Sequence, residues 1–122
     1  MRVDAVKGNS GTFGAKVSQD LVDMLRFSIN TGENRLKNNY QFTKKLEEFK
    51  DFGYDDYTVG YHKKDNIHGR SYNLIATRDG DDSRVLFLKK CNTLNQFLSM
   101  FNNMTKGEFR NRMSKHHIYY SM

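Results

Sequence analysis

Cysteine occurs once in these 122 residues, at position 91. A lone thiol excludes an internal disulfide framework and any CxxC zinc or redox motif. Cys91 reads instead as a small, half-buried hydrophobe. Long apolar runs are missing too. The longest is Val85-Leu86-Phe87-Leu88, whereas a membrane-crossing helix needs about 20 apolar residues. The N-terminus lacks the apolar core of a usual secretory signal. Proline is absent, while lysine and asparagine occur twelve times each. Proline needs C-rich codons and the other two have A/T-rich ones. The bias therefore points to an AT-rich genome, such as that of a low-GC bacterium or its phage. The expectation is a soluble chain in the cytoplasm of a bacterial or phage-infected bacterial cell.

What the chain does have is enough apolar mass for one modest core. Leu, Ile, Val and Phe number 28 of the 122 residues, above the roughly one-fifth below which chains usually stay disordered. At this length folding removes about 65% of the unfolded surface. Residues 1–122 are expected to form a single domain. Positions 1–17, with Gly8, Gly11 and Gly14, read as a flexible glycine-rich entry segment. Positions 105–122 read as a basic C-terminal helix and tail.

Periodicity gives the order of elements. Ser18 is a plausible N-cap for a helix over about 18–30, in which Leu21, Val22, Leu25 and Ile29 share a face. A second helical run ends at Gly53, a good C-terminal stop. In it Phe42, Leu46 and Phe49 share a face while Leu36 and Tyr40 point elsewhere. That leaves two short pieces, or one helix with two buried faces. Tyr57, Val59 and Tyr61 then alternate with polar residues, as in a strand. Residues 63–70 read as a polar, basic loop, Tyr72 to Thr77 as a second strand, and Asp79-Gly80 as a hairpin turn. Arg84 to Lys90 reads as a third, well-buried strand. Thr93 with Gln96, and Thr105 with Glu108, are capping boxes opening two more helices. Leu94, Phe97, Leu98 and Phe101 form the apolar stripe of the first. Phe109 and Met113 lie on one side of the second. The expected fold is α+β, a three-stranded antiparallel sheet with helices packed on it, in the order α-α-β-β-β-α-α.

The net charge is +6, and all of it lies in the second half. Residues 1–61 carry nine basic and nine acidic side chains, and residues 62–122 carry eleven and five. So lopsided a charge suits a polyanionic partner, nucleic acid or an acidic nucleoprotein face. Two clusters stand out. One is the loop Lys63, Lys64, His68 and Arg70, beside Tyr61 and Tyr72, followed by Lys89 and Lys90. Cations next to aromatics suit phosphate contact with base stacking. The other is Lys106, Arg110, Arg112 and Lys115 on the last helix, which lysine and arginine stems covering an apolar seam also explain.

Signals for catalysis are weak. The glycine segment lacks the Gly-Lys-Ser/Thr ending of a P-loop. His62 and His68, with Asp65 between them, suit a small metal-dependent nuclease, but no third ligand has diagnostic spacing. His116 and His117 are adjacent and point apart, and Glu47-Glu48 and Asp81-Asp82 read as solvated charge. No cofactor and no metal are expected.

Two resemblances follow. The order helix, three antiparallel strands, helix over about residues 42–104 resembles double-stranded-RNA-binding domains. It is carried by Leu46-x-Glu48, His68 in the loop before the second strand, Tyr72, Gly80 in the next turn and the pair Lys89-Lys90. The resemblance implies that His68 and Lys89-Lys90 face RNA grooves and phosphates. The chain departs from that pattern at Leu86-Phe87-Leu88, at Asn92-Thr93, and at Phe97 and Met100. In size, basicity and coding bias the chain is also similar to small phage-borne inhibitors of bacterial nucleases, anti-CRISPR proteins included. The expected function is non-enzymatic binding.

Overall fold

The computed structural model describes residues 16–115 and 120–121. The glycine segment with Val3 and Val6, and the pair His116-His117, lie outside the described residues. A short strand, β1 (Lys16–Val17), leads through Ser18 into helix α1 (Gln19–Asn30). The Ser18 hydroxyl accepts from the Leu21 N–H at 3.2 Å, satisfying one of the helix's orphan donors. Leu21, Leu25 and Ile29, four apart, are buried.

Helix α2 (Arg35–Phe49) is one helix with one buried face. Phe42, Lys45 and Phe49 are buried, and Leu46 packs against the core in part. Neither arrangement suggested by the spacing of its apolar residues is the one adopted. Leu36 and Tyr40 remain 83% and 71% exposed, because their side of the helix meets no other element among the described residues.

The sheet carries three main antiparallel strands, β2 (Tyr57–Asn66), β3 (Gly69–Arg78) and β4 (Asp81–Cys91). β1 pairs in parallel with β2 at one edge, and β5 (Tyr120–Ser121) pairs with β4 at the other. The first hairpin corrects the expected loop at 63–70. β2 and β3 stay paired as far as Asn66 and Gly69, so only Ile67 and His68 form the connection. No Asn-Gly or Asp-Gly pair announces this turn. The Asn66 side chain accepts from the His68 N–H at 2.9 Å, and Gly69 takes a φ of 130° that a side chain would resist.

Helices α3 (Leu94–Asn102) and α4 (Lys106–Lys115) follow. Thr93 and Thr105 cap them, accepting from the N–H groups of Gln96 and Glu108 at 3.1 Å each. Buried residues of all four helices join Tyr57, Val59, Leu74, Ala76, Leu86, Leu88 and Cys91 in one cluster. Those strand residues share one face of the sheet, so among the described residues the helices cover that face alone. Phe49 stacks on Phe101 at 4.9 Å and meets Phe109 edge-on at 5.4 Å, fastening α2, α3 and α4 to each other.

Candidate nucleic-acid interface

Period-two alternation sends the remaining strand residues to the opposite face, which no described helix covers. The pairing register arranges them in rows across the strands. Lys64 lies beside Ser71, His62 beside Asn73 and Lys90, Gly60 beside Ile75 and Phe87, and Thr58 beside Thr77 and Val85. No carboxylate sits in these rows. A register shift between Leu74 and Ile75 keeps Leu86 and Leu88 turned to the core while Phe87 stands outward and half-exposed. The run Val85–Leu88, in the strand expected to be well buried, therefore serves both faces, with Phe87 its half-exposed member.

At the hairpin end of this face is a cleft of about 560 Å³, whose lining includes Lys64, His68, Arg70, Ser71, Lys90 and Asn92. Ser71 is buried in its floor, and Asn73, two residues on along β3, is buried behind it. Asn73 donates to the His62 carbonyl at 3.1 Å and to the Ser71 hydroxyl at 3.3 Å. The floor is thus rigid and polar. The ammonium groups of Lys64 and Lys90 have no hydrogen-bond or ion-pair partner among the described residues. The two strands bearing them are about 10 Å apart, two inter-strand spacings. Beside the cleft, His62 and Phe87 meet edge-to-face at 6.0 Å.

The remaining basic residues separate into two kinds. Lys63 pairs in register with Tyr72, and Lys89 with Leu74, so both belong to the other side of the strands and are exposed there. Adjacent lysines on a strand diverge, which is why neither Lys63-Lys64 nor Lys89-Lys90 acts as one cluster. Arg70 is engaged internally. The Tyr72 hydroxyl, then Asp65 at 3.4 Å, raises its pKa further above the usual guanidinium range.

On α4, Arg110 lies 5.6 Å over the Tyr54 ring with its Nη1 3.5 Å from the Phe52 carbonyl. Arg112 donates to the Leu88 carbonyl at 2.9 Å and to Glu108 Oε2 at 2.8 Å. Its side chain is only 26% exposed. Lys106 and Lys115 stay exposed on α4, outside the cleft lining. Sequence reasoning missed Ser71 and Asn92 as lining of the cleft, and Asn73 as the residue that holds Ser71. Their only signal is polarity inside or just after strands, which means little until the register is known.

His62 projects from the sheet face and His68 sits at the hairpin tip. Among the described residues no group of three or more His, Cys, Asp or Glu side chains is placed to hold a metal ion. No described helix is long and apolar enough to cross a membrane. No family model matches the chain, and neither a curated protein nor a solved structure does.

Proposed function

We propose that the chain is a small basic binding protein, without catalytic activity, that engages nucleic acid through the cleft at the hairpin end of its sheet. The observation that carries this reading is the pair of ammonium groups, Lys64 and Lys90, without a partner among the described residues and on either side of the buried Ser71. Two cations with hydroxyl and amide donors between them match the chemistry of a phosphodiester. Arg112 adds positive potential without being a contact residue, since the Leu88 carbonyl and Glu108 hold its guanidinium, and Arg110, exposed over the Tyr54 ring, lies outside the cleft lining. The small size and AT-rich coding bias fit a phage-type inhibitor acting on a host nuclease in the bacterial cytoplasm, with the nucleic acid met alone or within its protein complex.

Convergence of His68 and Lys90 on one cleft favours duplex RNA as the second reading, since these positions carry the resemblance to double-stranded-RNA-binding domains. The test is fluorescence anisotropy with labelled oligonucleotides between about 50 and 200 mM salt. Counterion release gives a log K against log salt slope of about −0.7 to −0.9 per phosphate contacted. Lys64→Glu and Lys90→Glu are expected to weaken binding tenfold or more. Salt-independent binding, or unchanged affinity in both variants, overturns the reading.

A further inference from the structure

We propose that the sheet face which no described helix covers takes an unpaired nucleotide, its phosphate held between Lys64 and Lys90 and its base against Phe87 and His62. This rests on the nucleic-acid reading above and adds strandedness to it.

Three features of the face carry the inference. The first is the position of the aromatic pair. Phe87 lies one row beyond Lys90, and His62 shares a row with Lys90 across Asn73. One row is two residues along a strand, about 6.6 Å. The rings meet at 87° over the middle strand, and both are half-exposed although the core beneath is rich in buried phenylalanine. Ring faces of bases are available to side chains only where the bases are unstacked. In a duplex only base edges and backbone are offered.

The second feature is width. The axes of β2 and β4 stand about 10 Å apart before side chains are added. The major groove of B-DNA is about 12 Å wide and admits a two-stranded ribbon, and the minor groove is about 6 Å wide. A flat three-stranded face enters neither, while a single strand can lie across it.

The third is a charge gradient. Beyond the Gly60–Ile75–Phe87 row the face runs into a second hollow, of about 370 Å³, lined by Thr58, Thr77, Ser18, Asp20 and, from the strand edge, Lys63. At the hairpin end Lys64 and Lys90 face no carboxylate in their rows, whereas in this hollow the Lys63 ammonium is matched by the Asp20 carboxylate. A phosphate chain crossing the whole face passes from two unopposed cations to a hollow whose charges cancel. A base is neutral and carries N–H donors, so it suits the middle and the Asp20 side. The footprint is accordingly short, about one phosphate and one or two bases.

The experiment compares anisotropy of a labelled 12-nucleotide single strand with that of a hairpin duplex of the same composition. A second readout is the quenching of a 2-aminopurine placed in the single strand. The single strand is expected to bind at least tenfold more tightly than the duplex. Phe87→Leu keeps apolar bulk but removes the ring. It is expected to weaken single-strand binding about tenfold and to abolish the quenching, while Phe87→Tyr retains both. Equal or tighter duplex binding, with Phe87→Leu indistinguishable from wild type, overturns the inference and leaves the phosphate-binding cleft standing. Failure of both oligonucleotides to bind overturns the underlying reading as well. Inorganic polyphosphate that competes as well per phosphate as the single strand, without any effect of Phe87→Leu, shows that no base is recognised and likewise overturns the inference.

Discussion

The Lys45 ammonium donates to the Met104 carbonyl at 2.7 Å and to Glu48 Oε1 at 2.6 Å, tying helix α2 to the chain between α3 and α4. Lys45 is only 8% exposed and lies 5.9 Å over the Phe52 ring. Its donors satisfy a carbonyl that the neighbouring helices leave open. Lys45→Met keeps the apolar stem and removes the donor. It is expected to cost about 1–3 kcal/mol in urea unfolding, the usual penalty for an orphaned buried acceptor.

The same pair gives a pH dependence. The hydrogen bond from Lys45 lowers the Glu48 pKa below the ordinary carboxylate range, against opposing desolvation. A lowered folded-state pKa contributes stability that is fully present above the unfolded pKa and lost as pH falls through the folded one. Because the Glu48 side chain is 42% exposed, screening keeps the contribution small. Acidification from about pH 6 to pH 3 is expected to destabilise the wild type more than Lys45→Met, measured as the change in urea midpoint.

Gly53 has a φ of 85°, and a Cβ placed there comes 2.6 Å from Arg110 Nη1. Gly53→Ala therefore meets left-handed strain and pushes the mobile end of Arg110 away from the Phe52 carbonyl and the Tyr54 ring, the smaller of the two costs. A loss of about 1–3 kcal/mol is expected. In the double variant with Arg110→Ala, part of that loss is expected to return, because the clash is gone while the strain remains. Strict additivity in a double-mutant cycle overturns this account.

Burial raises the Cys91 thiol pKa, outweighing the opposite pull of Lys89 and Arg112. A thiol kept protonated and covered is a poor nucleophile. Alkylation by iodoacetamide at about pH 8 is expected to be at least tenfold slower in the native protein than in urea. Equal rates in the two states contradict the burial of Cys91.

Arg112 and Lys90 separate structural from free charge. Arg112→Ala leaves the Leu88 carbonyl and Glu108 without their donor and is expected to cost about 1–3 kcal/mol. Lys90→Ala is expected to stay within about 0.5 kcal/mol of wild type. Thermal unfolding of the two variants, measured side by side, decides this.

Phe97, fully buried on α3, meets Tyr61 of β2 at 6.4 Å between ring centroids. Phe97→Ala opens a cavity at the junction of helix and sheet. The expected loss is about 3–5 kcal/mol, read from the denaturant midpoint. A loss under about 1 kcal/mol contradicts the packing described.

Local patterns settled most of the elements. Leu21, Leu25 and Ile29 define the buried face of α1, and the Thr93 and Thr105 boxes set the starts of α3 and α4, because capping and helical periodicity act within a few residues of chain. Alternation at Tyr57, Val59 and Tyr61 likewise marks a strand on local grounds. Tertiary structure decided the rest. Pairing of backbone groups turned residues 63–66 and 69–70 into strand, leaving only Ile67 and His68 as a turn, since ladder hydrogen bonds form regardless of side-chain polarity. Register then sent Lys64 and Lys90 to one face and Lys63 and Lys89 to the other, a separation that adjacency in sequence conceals. It also set Phe87 beside His62, across a middle strand from a different part of the chain. Burial of Lys45 and capture of Arg112 depended on carbonyls 59 and 24 residues away. Net charge and its bias to the second half are properties of the chain alone. Which of those charges are free to meet a partner is a property of the packing, because a cation already satisfied by a carbonyl or carboxylate has fewer donors left to offer.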